Sequence, residues 1–479
     1  MKRSFPSKKT KIVCTIGPAS QSPEVLGQLM DAGMNIARIN FAHGDLDTHR
    51  SVIAAIRRVA RDKGRRIAIM GDLPGPKIRL GEIANGPVDL ERDAPFTLVG
   101  HDIVGDAGRA SHSFARLPQV VAPGDSIYLN DGYVQLRVEA IEGDDVQCRV
   151  EVGGPINSRK GMNLPGIDLG ILAFTEEDRA FLRFAAELKL DAVSQSFVQD
   201  VDDIKAVRAA AADLDYHPFV IAKIERAGAL DNMDAILAAV DGVMVARGDL
   251  GVEIPVELVP ATQKRLIRRA NRVGKPVITA THMLESMIQN RRPTRAEVTD
   301  VANAILDGTD CVMLSGETAV GAFPADAVTV MARIATVTEA DFPSDERAVG
   351  ALLQAEHEQG RIAFEDLVSL NVFLSSETLD PALVFVPTHS GITAQRLARF
   401  RLPMWIVAFS PDEQTCQNLQ FTWGVWTVHT TETPASWVDY VRAWSRDFAV
   451  DGSLAILTEG AGTLRSRGAI RTDILNLDA

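Results

Sequence analysis

Residues 219–249 read Phe-Val-Ile-Ala-Lys-Ile-Glu-Arg-Ala-Gly-Ala-Leu-Asp-Asn-Met-Asp-Ala-Ile-Leu-Ala-Ala-Val-Asp-Gly-Val-Met-Val-Ala-Arg-Gly-Asp. A short apolar run of strand type, Phe219 to Lys223, opens the stretch, and a second, Gly242 to Ala246, closes it. Between them lies an amphipathic segment of helical character. Strand, helix and strand in that order form the unit of a parallel sheet. Each strand ends in charged residues: Lys223 and Glu225 after the first, Arg247 and Asp249 after the second.

The same unit recurs outward in both directions. Comparable runs lie at Lys11–Ile16, Met34–Asn40, Ile67–Asp72, Asp191–Ser196, Pro276–Ala280 and Cys311–Leu314, which makes eight in all. Eight such strands close a (β/α)₈ TIM barrel, so the fold class is α/β. Helix punctuation agrees: Ser22-Pro23 offers an N-cap with proline in the first turn, and Gly33 stands where a helix would end. Pro255 to Val273 reads as another helix, stopped by Gly274 and Pro276.

More than a hundred residues separate the third run from the fourth, and most of them lack helical periodicity. Asn130-Asp-Gly132 between two alternating runs, and Glu142-Gly-Asp-Asp145, signal hairpins. We expect the barrel in residues 1–75 and 165–340, a small inserted β domain in 76–164, and a C-terminal α/β domain in 341–479. Strand-type runs at Leu383–Val386, Trp405–Phe409, Val425–Val428 and Leu454–Leu457 build the last of these.

A net charge of -13 argues against a nucleic-acid partner, because affinity for phosphate backbones comes from surplus Lys and Arg. An anionic substrate must meet a local basic pocket instead. The four cysteines, Cys14, Cys148, Cys311 and Cys416, have neither zinc-site nor disulfide-framework spacing, which fits a reducing compartment. The start Met-Lys-Arg is not followed by a secretory apolar stretch, and no run of about 18 apolar residues suggests a membrane span. We expect a cytoplasmic protein.

Active sites of such barrels lie at the carboxyl ends of the strands. There the chain places Arg38, Asn40 and His43 after strand two, Asp72 to Lys77 after strand three, and Lys223 and Glu225 after strand five. Strands six, seven and eight contribute Gly248 and Asp249, Thr281, and Ser315 to Glu317. Lys223 and Glu225, two apart on extended chain, point to the same side. Alone they would more often be a structural ion pair. With Asp249 on the next strand, two carboxylates make a nest for a hard divalent cation that keeps water and phosphate oxygens as its other ligands. The Gly248 amide can approach an anion closely.

Several motifs together resemble the pyruvate kinase family. They are Lys11-Ile-Val-Cys-Thr-Ile-Gly-Pro18, Arg38-Ile-Asn-Phe-Ala-His-Gly44, Lys160-Gly-Met-Asn-Leu-Pro165, Ala222-Lys-Ile-Glu225 and Met244-Val-Ala-Arg-Gly-Asp-Leu-Gly251. Arg292-Pro-Thr-Arg-Ala-Glu-Val298 leads to Met313-Leu-Ser-Gly-Glu-Thr-Ala319. The resemblance implies phosphoryl transfer from phosphoenolpyruvate to ADP, giving pyruvate and ATP, by a homotetramer whose inserted domain is a small β-barrel acting as a lid. It implies that Lys223 and Arg38 hold the phosphoryl group, that Glu225 and Asp249 hold Mg²⁺, or Mn²⁺ in its place, and that Gly248, Asp249 and Thr281 grip the substrate carboxylate. Thr281 also joins the proton-delivery chain. Asn40, His43, Arg79 and Lys160 match nucleotide-contacting positions.

The chain also departs from the family. Members that need K⁺ have Asn-Phe-Ser and Asp-Thr-Lys-Gly-Pro-Glu where this chain has Asn40-Phe-Ala42 and Asp72-Leu-Pro-Gly-Pro-Lys77. Ala42 and Leu73 offer no side-chain oxygen, so we expect Lys77 to supply the missing charge and K⁺ not to be required. His282 stands where the family usually has Gln. Thr388, Ser390, Gly391 and Thr393 fall where the family binds allosteric effectors, which points to a sugar phosphate or AMP; the plain alternative is a helix cap.

Overall fold

The computed structural model describes residues 3–130, 132–340, 364–459 and 471–478. The eight runs form one closed barrel of parallel strands: β1 (Lys11–Thr15), β2 (Ile36–Asn40), β3 (Ala68–Leu73), β4 (Ala192–Gln195), β5 (Phe219–Ile224), β6 (Gly242–Ala246), β7 (Val277–Ala280) and β8 (Cys311–Leu314). The ring closes where β1 pairs with β8, Lys11 opposite Cys311 and Cys14 opposite Leu314. Alternate strand residues, among them Val13, Ile36, Met70, Ile221, Met244 and Met313, fill the interior. The others, such as Ile12, Ile39, Val193, Val220 and Val312, pack against the surrounding helices. Burial on both faces is why the runs read as continuous apolar sequence.

Ser22 caps the helix Pro23–Ala32 by accepting from the Val25 amide, and Gly33 ends it at φ 121°. The helix expected over Pro255–Val273 is shorter: a 3₁₀ turn at Val256–Leu258 leads into Val259–Arg272. Gly248 and Asp249, expected on a loop, lie in a separate short helix, Arg247–Glu253. Pro255, extended at ψ 129° and without an N–H, keeps the two helices apart.

The insertion forms a six-stranded sheet with a two-stranded one beside it, around a core that includes Phe96, Leu98, Ile127, Leu136, Val138 and Val150. This is the form taken by the expected small β-barrel. Both hairpins are present, with Leu129 opposite Val134 and Glu142 opposite Asp145. Gly143 has φ 63°, which the two-residue turn Gly143-Asp144 requires.

The C-terminal α/β unit is a five-stranded sheet of β9 (Leu383–Pro387), β10 (Trp405–Ser410), β11 (Val425–His429), β12 (Leu454–Glu459) and β13 (Arg471–Asn476), in the order β11-β10-β9-β12-β13. The expected boundary at 341 lies outside the described residues. This unit meets the amino ends of the barrel strands, at the foot of the barrel. Phe421 enters the barrel interior and stacks on Phe219, ring centroids 5.1 Å apart. Beside it, Asp310 accepts from Arg401 at 2.9 Å and from the amides of Trp423 and Val277, each at 3.0 Å. Among the described residues, no helix is long and apolar enough to cross a membrane.

Candidate active site

Five neighbouring strands meet in one polar network at the carboxyl ends of the barrel. From β1, Thr15 accepts from Arg38 of β2 at 2.9 Å. Arg38 in turn donates to Asp72 of β3 through Nε at 2.8 Å, and a second guanidinium nitrogen touches the same oxygen. Ser194 of β4 donates to the other Asp72 oxygen at 2.7 Å. Lys223 of β5 lies 3.5 Å from Asp72, 2.9 Å from Glu225 and 2.6 Å from the Ser196 hydroxyl. The second Glu225 oxygen takes the Phe197 amide at 2.7 Å.

Arg38, Asp72 and Glu225 are buried and Lys223 is half-buried, so their charges interact strongly. Burial pushes the Lys223 ammonium down, but the Asp72 and Glu225 carboxylates outweigh it and hold its pKa above the ordinary value. Burial likewise pushes Asp72 up, and Lys223 with Arg38 overcomes it, leaving the carboxyl below its usual range. Glu225 goes the other way: burial, with Asp249 adding like charge, prevails over Lys223 and raises it. The result is a floor in which the Lys223 ammonium is held charged between Asp72 and Glu225, with Asp249 bringing like charge up to Glu225.

On the neighbouring strands, the Gly248 amide donates to the Thr281 hydroxyl at 2.8 Å, and that hydroxyl donates to the Ala280 carbonyl at 2.7 Å. Thr281 and His282 have φ 63° and 53°, a left-handed backbone that is costly for a β-branched residue. Arg247 braces them, reaching the carbonyls of Ala280 at 3.1 Å and Thr281 at 2.6 Å while Asp300 holds it at 2.7 Å.

Asp249 makes no hydrogen bond or ion pair among the described residues, so its oxygens are open beside the raised Glu225. No group of three metal-ligating side chains occurs among the described residues. Asp249 beside Glu225 suits a Mg²⁺ ion that takes its remaining ligands from water and substrate.

Of the nucleotide candidates, His43 lies within the influence of three cations: partial burial lowers its pKa, and Arg79, Lys77 and Arg38 lower it further. Arg79 sits beside the Lys160 strand, pairing with Gly161 and donating to the Arg159 carbonyl at 3.0 Å. Asn40 turns its side-chain oxygen onto the Ala42 amide at 3.2 Å. Lys77 is exposed, and Leu73 is buried in the hydrophobic core. Glu317 braces its own loop, accepting from Leu284 and Ser315 at 3.0 and 2.7 Å.

In the C-terminal unit, Thr388 is buried and accepts from the Gly391 amide at 2.9 Å, Gly391 has φ 80°, and Ser390 is exposed. The Thr388 hydroxyl thus serves the turn.

Sequence reasoning placed Asp72 at the site's end of the barrel without giving it a role, and left out Ser194, Ser196 and Thr15. Asp72 joins Arg38 to Lys223, and its position at the end of β3 was the available signal.

A floor of fixed cations around an anionic subsite suits transfer of a phosphoryl group, and known proteins put the chain among the phosphotransferases. The family description "Pyruvate kinase, barrel domain" matches residues 7–328, and "Pyruvate kinase, alpha/beta domain" matches 366–474. Pyruvate kinase of Thermococcus litoralis is 46% identical over 88% of this chain and 89% of its own length. That of Clostridium acetobutylicum is 39% identical over 95% and 97%. A crystal structure of a pyruvate kinase from Cryptosporidium parvum superposes with TM-score 0.89 at 35% identity, covering 98% of this chain and 96% of that one. The chain belongs to the pyruvate kinase family.

Proposed function

We propose that this chain transfers the phosphoryl group of phosphoenolpyruvate to ADP, yielding pyruvate and ATP. The observation that carries the reading is Lys223, kept charged by Asp72 and Glu225 at the centre of the five-strand network. Lys223 and Arg38 offset charge on the phosphoryl oxygens as the group moves, and because their partners already fix them, little reorganisation is needed. The Gly248 amide and Thr281 hydroxyl orient the substrate carboxylate. Thr281 lies on the path by which a proton reaches the enolate carbon. Mg²⁺, held by Glu225 and Asp249, supplies Lewis-acid charge to the substrate oxygens when bound. Asn40, His43, Arg79 and Lys160 receive the nucleotide. An assay of pyruvate release from phosphoenolpyruvate, with ADP and Mg²⁺ each present or omitted, tests this; pyruvate formed without ADP would refute it.

We further propose that the reaction needs no K⁺. The Asp72 carboxylate is already engaged by Arg38, Lys223 and Ser194, Leu73 is a core residue, and the Lys77 charge reaches His43. Full activity is expected in buffers free of K⁺ and NH₄⁺; strict dependence on either ion removes the idea. Binding of a sugar phosphate or AMP near Ser390 and Thr393 is the regulatory part of the reading, and it fails if no such compound moves the phosphoenolpyruvate saturation curve. A homotetramer is the expected assembly, to be checked by light scattering.

A further inference from the structure

The inserted domain returns to the barrel through residues 164–170, and two barrel side chains hold that return. Arg226, the residue after Glu225, is buried and donates to the Ile167 carbonyl at 2.6 Å. Glu253 ends the short helix that carries Gly248 and Asp249. Burial pushes its carboxyl up, and the Arg226 charge with the nearby backbone amides of Ala227 and Gly166 opposes that push. The two grips fall on consecutive residues, Gly166 and Ile167, and Gly166 turns the chain between them at φ 71°.

Ile167 packs against the insertion's own core, between Leu164 and Leu169. A bond to its carbonyl therefore acts on the insertion as a body. A second contact reaches the same helix. A Cβ placed on Gly132, at the tip of the Ser126–Leu129 hairpin, would come within 3.2 Å of the Val252 side chain. The last turn of the Asp249 helix is thus touched by the insertion at Val252 through the hairpin tip and at Glu253 through the return segment.

Neither side chain is hydrogen-bonded to the network around Lys223: Arg226 donates to Ile167 instead, and Glu253 lies at the opposite end of its helix from Gly248 and Asp249, although the Asp249 charge acts on it. Arg226 is bonded to backbone, which fixes a distance more tightly than a contact between two flexible side chains. A charged donor on a buried carbonyl is also among the stronger single hydrogen bonds.

We infer that Arg226 and Glu253 form a bracket that sets the insertion's position over the barrel, so that Arg79 and Lys160 on the insertion stand opposite Lys223 and Arg38. This rests on the proposed function, and it makes the two residues positioning residues for the nucleotide. Loosening the bracket leaves phosphoenolpyruvate its barrel contacts on rigid strands. ADP binding then has to order the insertion as well, and its apparent affinity falls by the fraction of molecules that are correctly placed.

The test uses the full-length enzyme and three variants: Arg226→Ala, Arg226→Lys and Glu253→Gln. Arg226→Ala is expected to raise KM for ADP about tenfold. KM for phosphoenolpyruvate should stay within about twofold, and Arg226→Lys, keeping a charged donor, should recover most of the loss. If both KM values rise together, or neither moves, the bracket is refuted. Should Arg226→Ala fail to fold, Glu253→Gln carries the same comparison, because it preserves size and removes only the charge. Amide hydrogen exchange without any substrate separates this inference from the reaction assigned above. Residues 164–170 should exchange faster in Arg226→Ala and Glu253→Gln than in the parent chain, and unchanged exchange overturns the bracket whatever the enzyme proves to catalyse.

Discussion

The two ends of the barrel are built on opposite terms. At the mouth, Thr281 and Phe197 hold left-handed backbone, and Glu225 and Asp249 set like charges near each other. At the foot, the buried Arg401–Asp310 pair is tied to the Trp423 and Val277 amides, and Phe421 closes the interior against Phe219. The mouth keeps strain and like charge where a ligand can relieve them; the foot also holds left-handed backbone, at Arg401 with φ 51°, but pairs its opposite charges within the chain. Function and stability are in this way separated along the strands.

Breaking each end separately tests that division. The largest effect is expected at the mouth: Lys223→Met should lower kcat by about 10³-fold or more, while the variant still melts in one cooperative transition by calorimetry. Asp310→Ala at the foot should do the reverse. It leaves Arg401 buried without its partner and is expected to cost about 3–5 kcal/mol of stability in denaturant unfolding, with kcat of the folded fraction changed only a few-fold. Comparable loss of activity in both variants would erase the distinction.

The smallest effect sharpens the picture at the foot. Burial, with Lys11 adding like charge, pushes the Lys8 ammonium down from 10.5 to about 7. The native state therefore binds fewer protons at this site than the unfolded chain between those values, and its contribution to stability grows as pH rises from about 7 towards 10.5. Below about pH 7 the contribution is absent. Relative to Lys8→Met, the parent chain should gain stability over that window; parallel stability curves would refute the assignment.

Much of this could be read from the sequence, for identifiable reasons. Burial on both faces made the barrel strands continuous apolar runs, and Asn130-Asp-Gly132 marked its hairpin. β13 was not anticipated, because Arg471-Thr-Asp-Ile-Leu-Asn476 is a largely exposed edge strand that pairs antiparallel with β12. In the site, Lys223 and Glu225 were legible because two-residue spacing on one strand makes them neighbours. The role of Asp72 was not, since its partners Arg38, Ser194 and Lys223 arrive from three other strands. The bracket of Arg226 and Glu253 depends likewise on tertiary geometry that no local pattern encodes.

Phe421 also bears on the order in which the molecule can be completed. The last barrel strand, β8, ends at Leu314, and the ring that fills the foot of the barrel lies about a hundred residues further along the chain. At the usual pace of synthesis, about 5–20 residues per second, several seconds pass between the two leaving the ribosome. For that interval the newly made barrel has all its strands but an open base, with Phe219 lacking the ring that will cover it.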